Sequence, residues 1–146
     1  FESFNWSLKQ IFLKKISLLQ YMMYDLIQVE DDHELREYCA CAAQNVGLSF
    51  MHVGSLKGLE KVLTQSDARF YIVDGRFPRE DSGRVLDLAE EAIGMIRTAY
   101  PSASIIVHSN SSKAEEVAKK LKVENISKDC MPAALMSILS RRIFAW

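Results

Sequence analysis

The stretch YIVDGRFP, residues 71–78, runs from apolar β-formers into one acid, Asp74, and then into Gly75 and Pro78. Tyr, Ile and Val suit a buried pleated strand. A glycine and a proline directly behind them end it. The acid is therefore delivered to the C-terminal tip of a buried strand, and the fold depends on the elements that stand on either side.

Outward from Asp74 the pattern alternates. YDLIQV (24–29) is a short β-type run ending in the acids Glu30, Asp31 and Asp32. HELREYCACAAQNVG (33–47) has helical spacing at Leu35, Tyr38 or Cys39, Ala42 and Val46, with Asp32 as N-cap and Gly47 as stop. A second strand, LSFMHV, leads to a helix over 55–66 capped by Ser55, and RFYIV leads to Asp74. GRFPREDS (75–82) reads as a loop and GRVLDLAEEAIGMIRTAY (83–100) as one long helix stopped by Pro101. SASIIVHS is the fourth strand, SSKAEEVAKKLK (111–122) a charged helix, VENIS a weak fifth strand, and 131–146 a last helix with Pro132 in its first turn. Five β-α units predict an α/β fold, a doubly wound five-stranded parallel sheet covered on both faces.

Residues 4–22 form an additional N-terminal pattern, with Leu8, Phe12, Ile16, Leu19 and Met23 at spacings of three and four. They predict an amphipathic helix, so that 1–22 are an extension or linker and 23–146 the domain. The chain starts at Phe1, and this reads as a fragment or a tagged chain, with Met22 or Met23 as a possible natural start. IFLKKISLLQYMM is broken by Lys14 and Lys15 and falls short of the ~20 apolar residues of a membrane span.

The bulk composition suits one such domain: 146 residues, 49% hydrophobic, 25% charged, net charge −1. A nearly neutral chain does not indicate a nucleic-acid surface. Three cysteines, Cys39, Cys41 and Cys130, fit reduced thiols in a cytoplasmic setting. Cys39 and Cys41 are expected as small core residues rather than metal ligands. His33 is expected as an exposed first-turn residue, His52 and His108 in core or rim roles, and Phe144 and Trp146 packed at the chain end.

In a parallel sheet the chemistry gathers at the carboxyl ends of the strands. Those ends carry Glu30, Asp31 and Asp32, then Asp74, then His108, Ser109 and Asn110, then Ser127 and Lys128. Clustered carboxylates repel unless a cation or protons intervene. Oxygen ligands with an open face suit Mg²⁺, and a hydroxyl and a lysine opposite can hold phosphoryl oxygens. The constellation reads as a carboxylate nucleophile that accepts a phosphoryl group with Mg²⁺.

At these residues the sequence resembles the receiver domains of bacterial two-component response regulators. LIQVEDDHELRE is similar to the family's first strand and acidic pair, and YIVDGRFP to its phospho-acceptor strand. IIVHSN holds the Ser/Thr position, ISKD the lysine, and 43 residues separate Asp31 from Asp74. The resemblance implies the flavodoxin-like strand order 2-1-3-4-5. It implies Asp74 as phospho-acceptor and Asp31 as a direct Mg²⁺ ligand. Glu30 would act on the metal through water, and the Arg76 carbonyl would complete the set. Ser109 and Lys128 would hold the phosphoryl group. It implies a signalling domain rather than an enzyme, fed by a histidine kinase or a histidine phosphotransfer protein. The N-terminal helical pattern, and Phe144 and Trp146 if exposed, add a homodimer as a further option.

Several positions depart from the family pattern. Asp129 replaces the proline that follows the lysine, so a trans bond is expected there. Asn125 replaces an aromatic switch residue, and Asn110 replaces a small residue and would crowd the phosphate entrance. The 35 residues from Asp74 to Ser109 are more than usual, and the 19 from Ser109 to Lys128 fewer, so the fourth helix is expected trimmed or repositioned. These departures keep a second reading open, a receiver-like interaction module not regulated by phosphorylation. A haloacid-dehalogenase-type hydrolase would want a second acid where Arg76 stands. A flavin-binding version would want a Ser/Thr- or Gly-rich loop where EDDHEL stands.

Overall fold

The computed structural model describes residues 8, 10 and 22–145. Apolar side chains alternate along the central strands, so each strand feeds two cores at once. The elements in chain order are β1 (Met22–Val29), α1 (His33–Asn45), β2 (Phe50–Val53), α2 (Leu56–Leu63), β3 (Ser66–Asp74), β4 (Arg76–Pro78), β5 (Val85–Asp87), α3 (Ala89–Ala99), β6 (Ser104–His108), α4 (Ser112–Leu121), β7 (Glu124–Ile126) and α5 (Pro132–Phe144). Five strands form one parallel sheet in the order β2-β1-β3-β6-β7. Counting only those strands, this is the expected doubly wound order 2-1-3-4-5.

Ile27, Val29, Tyr71, Val73, Ile105 and Val107 point to α2, α3 and α4, where Leu59, Ile93, Ile96 and Ala118 meet them. Leu26, Phe70, Ile72 and Ile106 point the other way, to Cys39 and Ala43 of α1 and Leu135, Met136 and Leu139 of α5. Each of the larger side chains buried here contributes roughly 1.5–3 kcal/mol. The helix caps are those the sequence predicts: Asp32 accepts from the Leu35 amide at 3.1 Å and Ser55 from the Gly58 amide at 3.0 Å. α4 ends on Lys122 in the left-handed region, φ 57°, which turns the chain straight into β7.

Five expectations are corrected. First, β1 starts at Met22, not at Tyr24; Met22 and Met23 pair with Ser66 and Asp67. They belong to the sheet rather than to the amphipathic helix. The rest of that helix, apart from Leu8 and Gln10, lies outside the described residues. Second, α2 stops at Leu63, because Ser66 is taken into the β1–β3 ladder. Third, 83–100 is not one helix. Val85–Asp87 pairs antiparallel with Arg76–Pro78, and only Ala89–Ala99 is helical. The expected loop is thus a hairpin, with Phe77 fully buried as its anchor, and it absorbs the extra length between Asp74 and Ser109. α4 itself keeps ten residues. Fourth, Cys39 is buried but Cys41 is exposed, since positions two apart on a helix cannot face the same core. Fifth, Phe144 is 65% exposed; Trp146 lies outside the described residues. No helix among the described residues is long and apolar enough to cross a membrane.

Candidate functional site

The parallel register levels the strand tips. Val29 of β1 stands beside Val73, and Asp74 beside His108. Glu30, Asp74 and Ser109 are thereby carried to one edge of the sheet, buried to 1%, 7% and 5% exposure. One carboxylate oxygen each from Glu30, Asp31 and Asp74 lies within 4.8 Å of the others. That is the predicted acidic set, brought together across β1 and β3.

Lys128 enters the cluster from the loop after β7. Its Nζ stands 2.9 Å from Glu30 Oε1 and 3.1 Å from Asp74 Oδ1. The bond to Asp129 is trans, as expected, for the described residues hold no cis peptide. The lysine reaches the acids all the same. Burial works against its charge, but the hydrogen bond to Glu30 and the charges of Asp74 and Glu30 outweigh it and raise its pKa.

Glu30 behaves unlike an ordinary carboxyl group. Burial, then its hydrogen bond and charge contact with Asp74, push its pKa up to about 8, with Lys128 pulling the other way. Glu30 therefore keeps its proton at neutral pH. Glu30 also orders the chain behind it, since its Oε2 accepts from the Asp31 amide at 3.1 Å.

Ser109 directly follows β6 at the same sheet edge, against Gly75. Its hydroxyl oxygen accepts from the Ser111 amide at 3.0 Å, which ties it to the residue that caps α4. Gly75, next to Asp74, is where backbone and side chain come closest. A Cβ there would stand 2.7 Å from Ser109 Oγ and 2.8 Å from Ala114 Cβ. Gly75→Ala is expected to cost about 1–3 kcal/mol, as over-packing does, in urea denaturation. A loss below about 0.5 kcal/mol, the size of an ordinary surface change, would show that α4 yields freely.

Arg76 opens β4, and its side chain turns to Asp87 of β5 at 3.5 Å. His108 is 2% exposed, and burial, with the Lys128 charge second, lowers its pKa. His52 and His33 are exposed and face Arg36 at 3.4 and 3.5 Å. Asn125 stands in β7 with a buried Oδ1 that has no partner among the described residues. Asn110 is not simply an obstruction at the rim. Its Oδ1 accepts from Ser127 Oγ at 2.6 Å and from the Lys128 amide at 2.8 Å. Sequence reading missed this engagement; the one signal was that Asn110 and Asp129 are both unusual at paired positions.

No protein-family model matches the chain, and no curated protein matches it. Solved structures do. The RcsB response regulator of Salmonella typhimurium shares 19% identity over 86% of this chain, with a TM-score of 0.65, and this chain spans 61% of its length. The N-terminal domain of an uncharacterized protein from Wolinella succinogenes is 22% identical, with a TM-score of 0.68 over 84% of this chain and 94% of that one. The receiver domain of NtrX from Brucella abortus is 15% identical, with a TM-score of 0.68 over 84% of this chain and all of that one. The fold is therefore that of response regulator receiver domains.

Proposed function

We propose that this chain is a phospho-accepting receiver domain, in which Asp74 takes a phosphoryl group from a phosphohistidine donor, a histidine kinase or a histidine phosphotransfer protein. The observation that carries the reading is the convergence of Glu30, Asp31, Asp74 and Lys128 at one sheet edge, with oxygens and ammonium within about 3 to 5 Å. In the transfer, an Asp74 carboxylate oxygen forms the bond to phosphorus. The donor's P–N bond breaks, and its electron pair returns to the imidazole nitrogen, which takes up a proton. Lys128, already against Asp74, meets the charge of the phosphoryl oxygens. Ser109 turns its hydroxyl from the Ser111 amide to the same oxygens.

The residues fit a hard divalent cation. Three carboxylates offer oxygen, two are buried, and one ammonium does not neutralise them. Asp31 and Asp74 would hold Mg²⁺ directly, Glu30 through water, and the Arg76 carbonyl would complete the protein set. The ion would neutralise the phosphoryl oxygens as the charge on them redistributes.

The added charge biases the surface that Ser109 controls, at the start of α4. Free Cys39, Cys41 and Cys130 fit a cytoplasmic setting. The residues before Met22 serve as an extension or linker. Asn125 in place of an aromatic switch supports a second reading, an interaction module that phosphorylation does not regulate.

The test is mass spectrometry after incubation with Mg²⁺ and acetyl phosphate. The wild type is expected to gain one labile phosphoryl group, about 80 Da. Asp74→Asn, or chelation of the metal, is expected to abolish the gain. No gain from acetyl phosphate, nor from a phosphorylated histidine phosphotransfer protein, would favour the interaction module.

A further inference from the structure

We infer that Asn110 is the positioning residue that sets Lys128 in the site, clamping the loop of Lys128 through its side chain to the loop that carries Ser109. The inference rests on the phospho-acceptor reading for its consequence, but its geometry stands by itself. Lys128 sits on a five-residue connection between a three-residue strand, β7, and α5. A short edge strand gives the adjoining loop little support. Yet Nζ meets two acids whose side chains are 2% and 9% exposed, and this needs a defined backbone.

The definition comes largely from one side chain. Asn110 Oδ1 accepts from the Lys128 amide at 2.8 Å and from Ser127 Oγ at 2.6 Å, and Asn110 Nδ2 faces Asp129 Oδ1 at 3.4 Å. Ser127 Oγ, oriented by that bond, accepts in turn from the Asp129 amide at 3.0 Å. Three consecutive loop residues are thus fixed to or through one amide group. An amide suits the place because it offers an acceptor to Lys128 and a donor to Asp129 at once. Asn110 also comes directly after Ser109, and the Ser109 amide donates to the Ile126 carbonyl at 3.1 Å. The two side chains that would hold the phosphoryl group are therefore carried by loops bonded directly to each other.

The experiment is a double-mutant cycle on the full chain with Asn110→Ala and Lys128→Ala. It is read by the rate of Asp74 phosphorylation from acetyl phosphate and, separately, by Mg²⁺ affinity in calorimetry. Asn110→Ala is expected to slow phosphorylation by about tenfold or more, as misplacing a group by an ångström does. In the Lys128→Ala background the same change is expected to alter the rate by less than about twofold, since the two act as one unit. The Mg²⁺ affinity is expected to move in the same direction in both single variants and no further in the double. The exchange Asn110→Asp with Asp129→Asn keeps an oxygen for Ser127 and Lys128 and reverses the third contact, and it is expected to restore the rate to within about threefold.

An effect of Asn110→Ala that persists undiminished without Lys128 would overturn the inference, as would no effect on rate and affinity. If the wild type accepts no phosphoryl group but the Mg²⁺ cycle shows the coupling, the placement of Lys128 by Asn110 stands and the phospho-acceptor reading fails.

Discussion

Lys128→Ala is expected to slow the phosphorylation of Asp74 by about 10²-fold or more, the size of effect seen when one preorganised group facing developing charge is removed. The ammonium stands 2.9 Å from Glu30 and 3.1 Å from Asp74. It is thus in place before a donor arrives, and no ordering remains for the moment of transfer. The substitution also leaves two buried carboxyl groups without their cation. Glu30 then holds its proton more tightly, because Lys128 is what pulls its pKa down. Stopped-flow phosphorylation with saturating Mg²⁺ reads the rate. A variant within threefold of wild type would place Lys128 outside the reaction. Lys128→Arg separates charge from fit: a planar guanidinium cannot enter the same space between two acids as a point charge can, so only partial recovery is expected.

The second large effect is a dependence on pH opposite to that of most carboxylates. Glu30 is raised to about 8 in the folded protein, against 4.5 without perturbation. Between those values the folded state keeps a proton that the unfolded state has released. Folded protein binds more protons there, so stability falls as pH rises through the window, by a few kcal/mol in total. Below about 4.5 the penalty is absent, and above about 8 it is complete. A divalent cation in the cluster replaces the proton. Mg²⁺ affinity is therefore expected to rise with pH up to about 8, by no more than about tenfold per unit for one displaced proton, and then level off. Urea denaturation with chelator at pH 5, 6.5 and 8, together with calorimetric Mg²⁺ titrations, tests both halves. Glu30→Gln carries the same hydrogen-bonding shape without the titration and is expected to flatten the metal-free profile. A profile as steep in Glu30→Gln as in the wild type would assign the dependence to other groups.

Much of this site is legible in the sequence. Ile72, Val73 and Asp74 in a row, with a glycine behind, mark a buried strand that ends in an acid. The same grammar recurs at Val29-Glu30 and Val107-His108-Ser109. Once those strands are parallel, their tips have one place to go. The caps at Asp32 and Ser55 were equally readable, because a side chain bonding to the amide three residues on is a local event.

The failures were non-local. Val85–Asp87 carries no helix-breaking residue and looked continuous with α3, but its backbone groups are claimed by Arg76–Pro78. Met22 and Met23 fit an apolar helical stripe until Ser66 and Asp67 claim them as strand. Asn110 and Asp129 each read, in sequence, as a departure from the receiver pattern. Only the 2.6–3.4 Å contacts across the β6 and β7 loops show the two as parts of one clamp.

The period of each element, the alternation of strands and helices, and the polar residues at strand ends all follow from the chain's local chemistry. Those properties arise from side-chain spacing and local backbone chemistry, which act over a few residues. The hairpin after Asp74, the raised pKa of Glu30 and the hold of Asn110 on the loop of Lys128 are set only by tertiary contacts. Each of these depends on which distant backbone group or charge arrives within about 3 Å, where hydrogen bonds and desolvation act, and chain closure across tens of residues sets that distance.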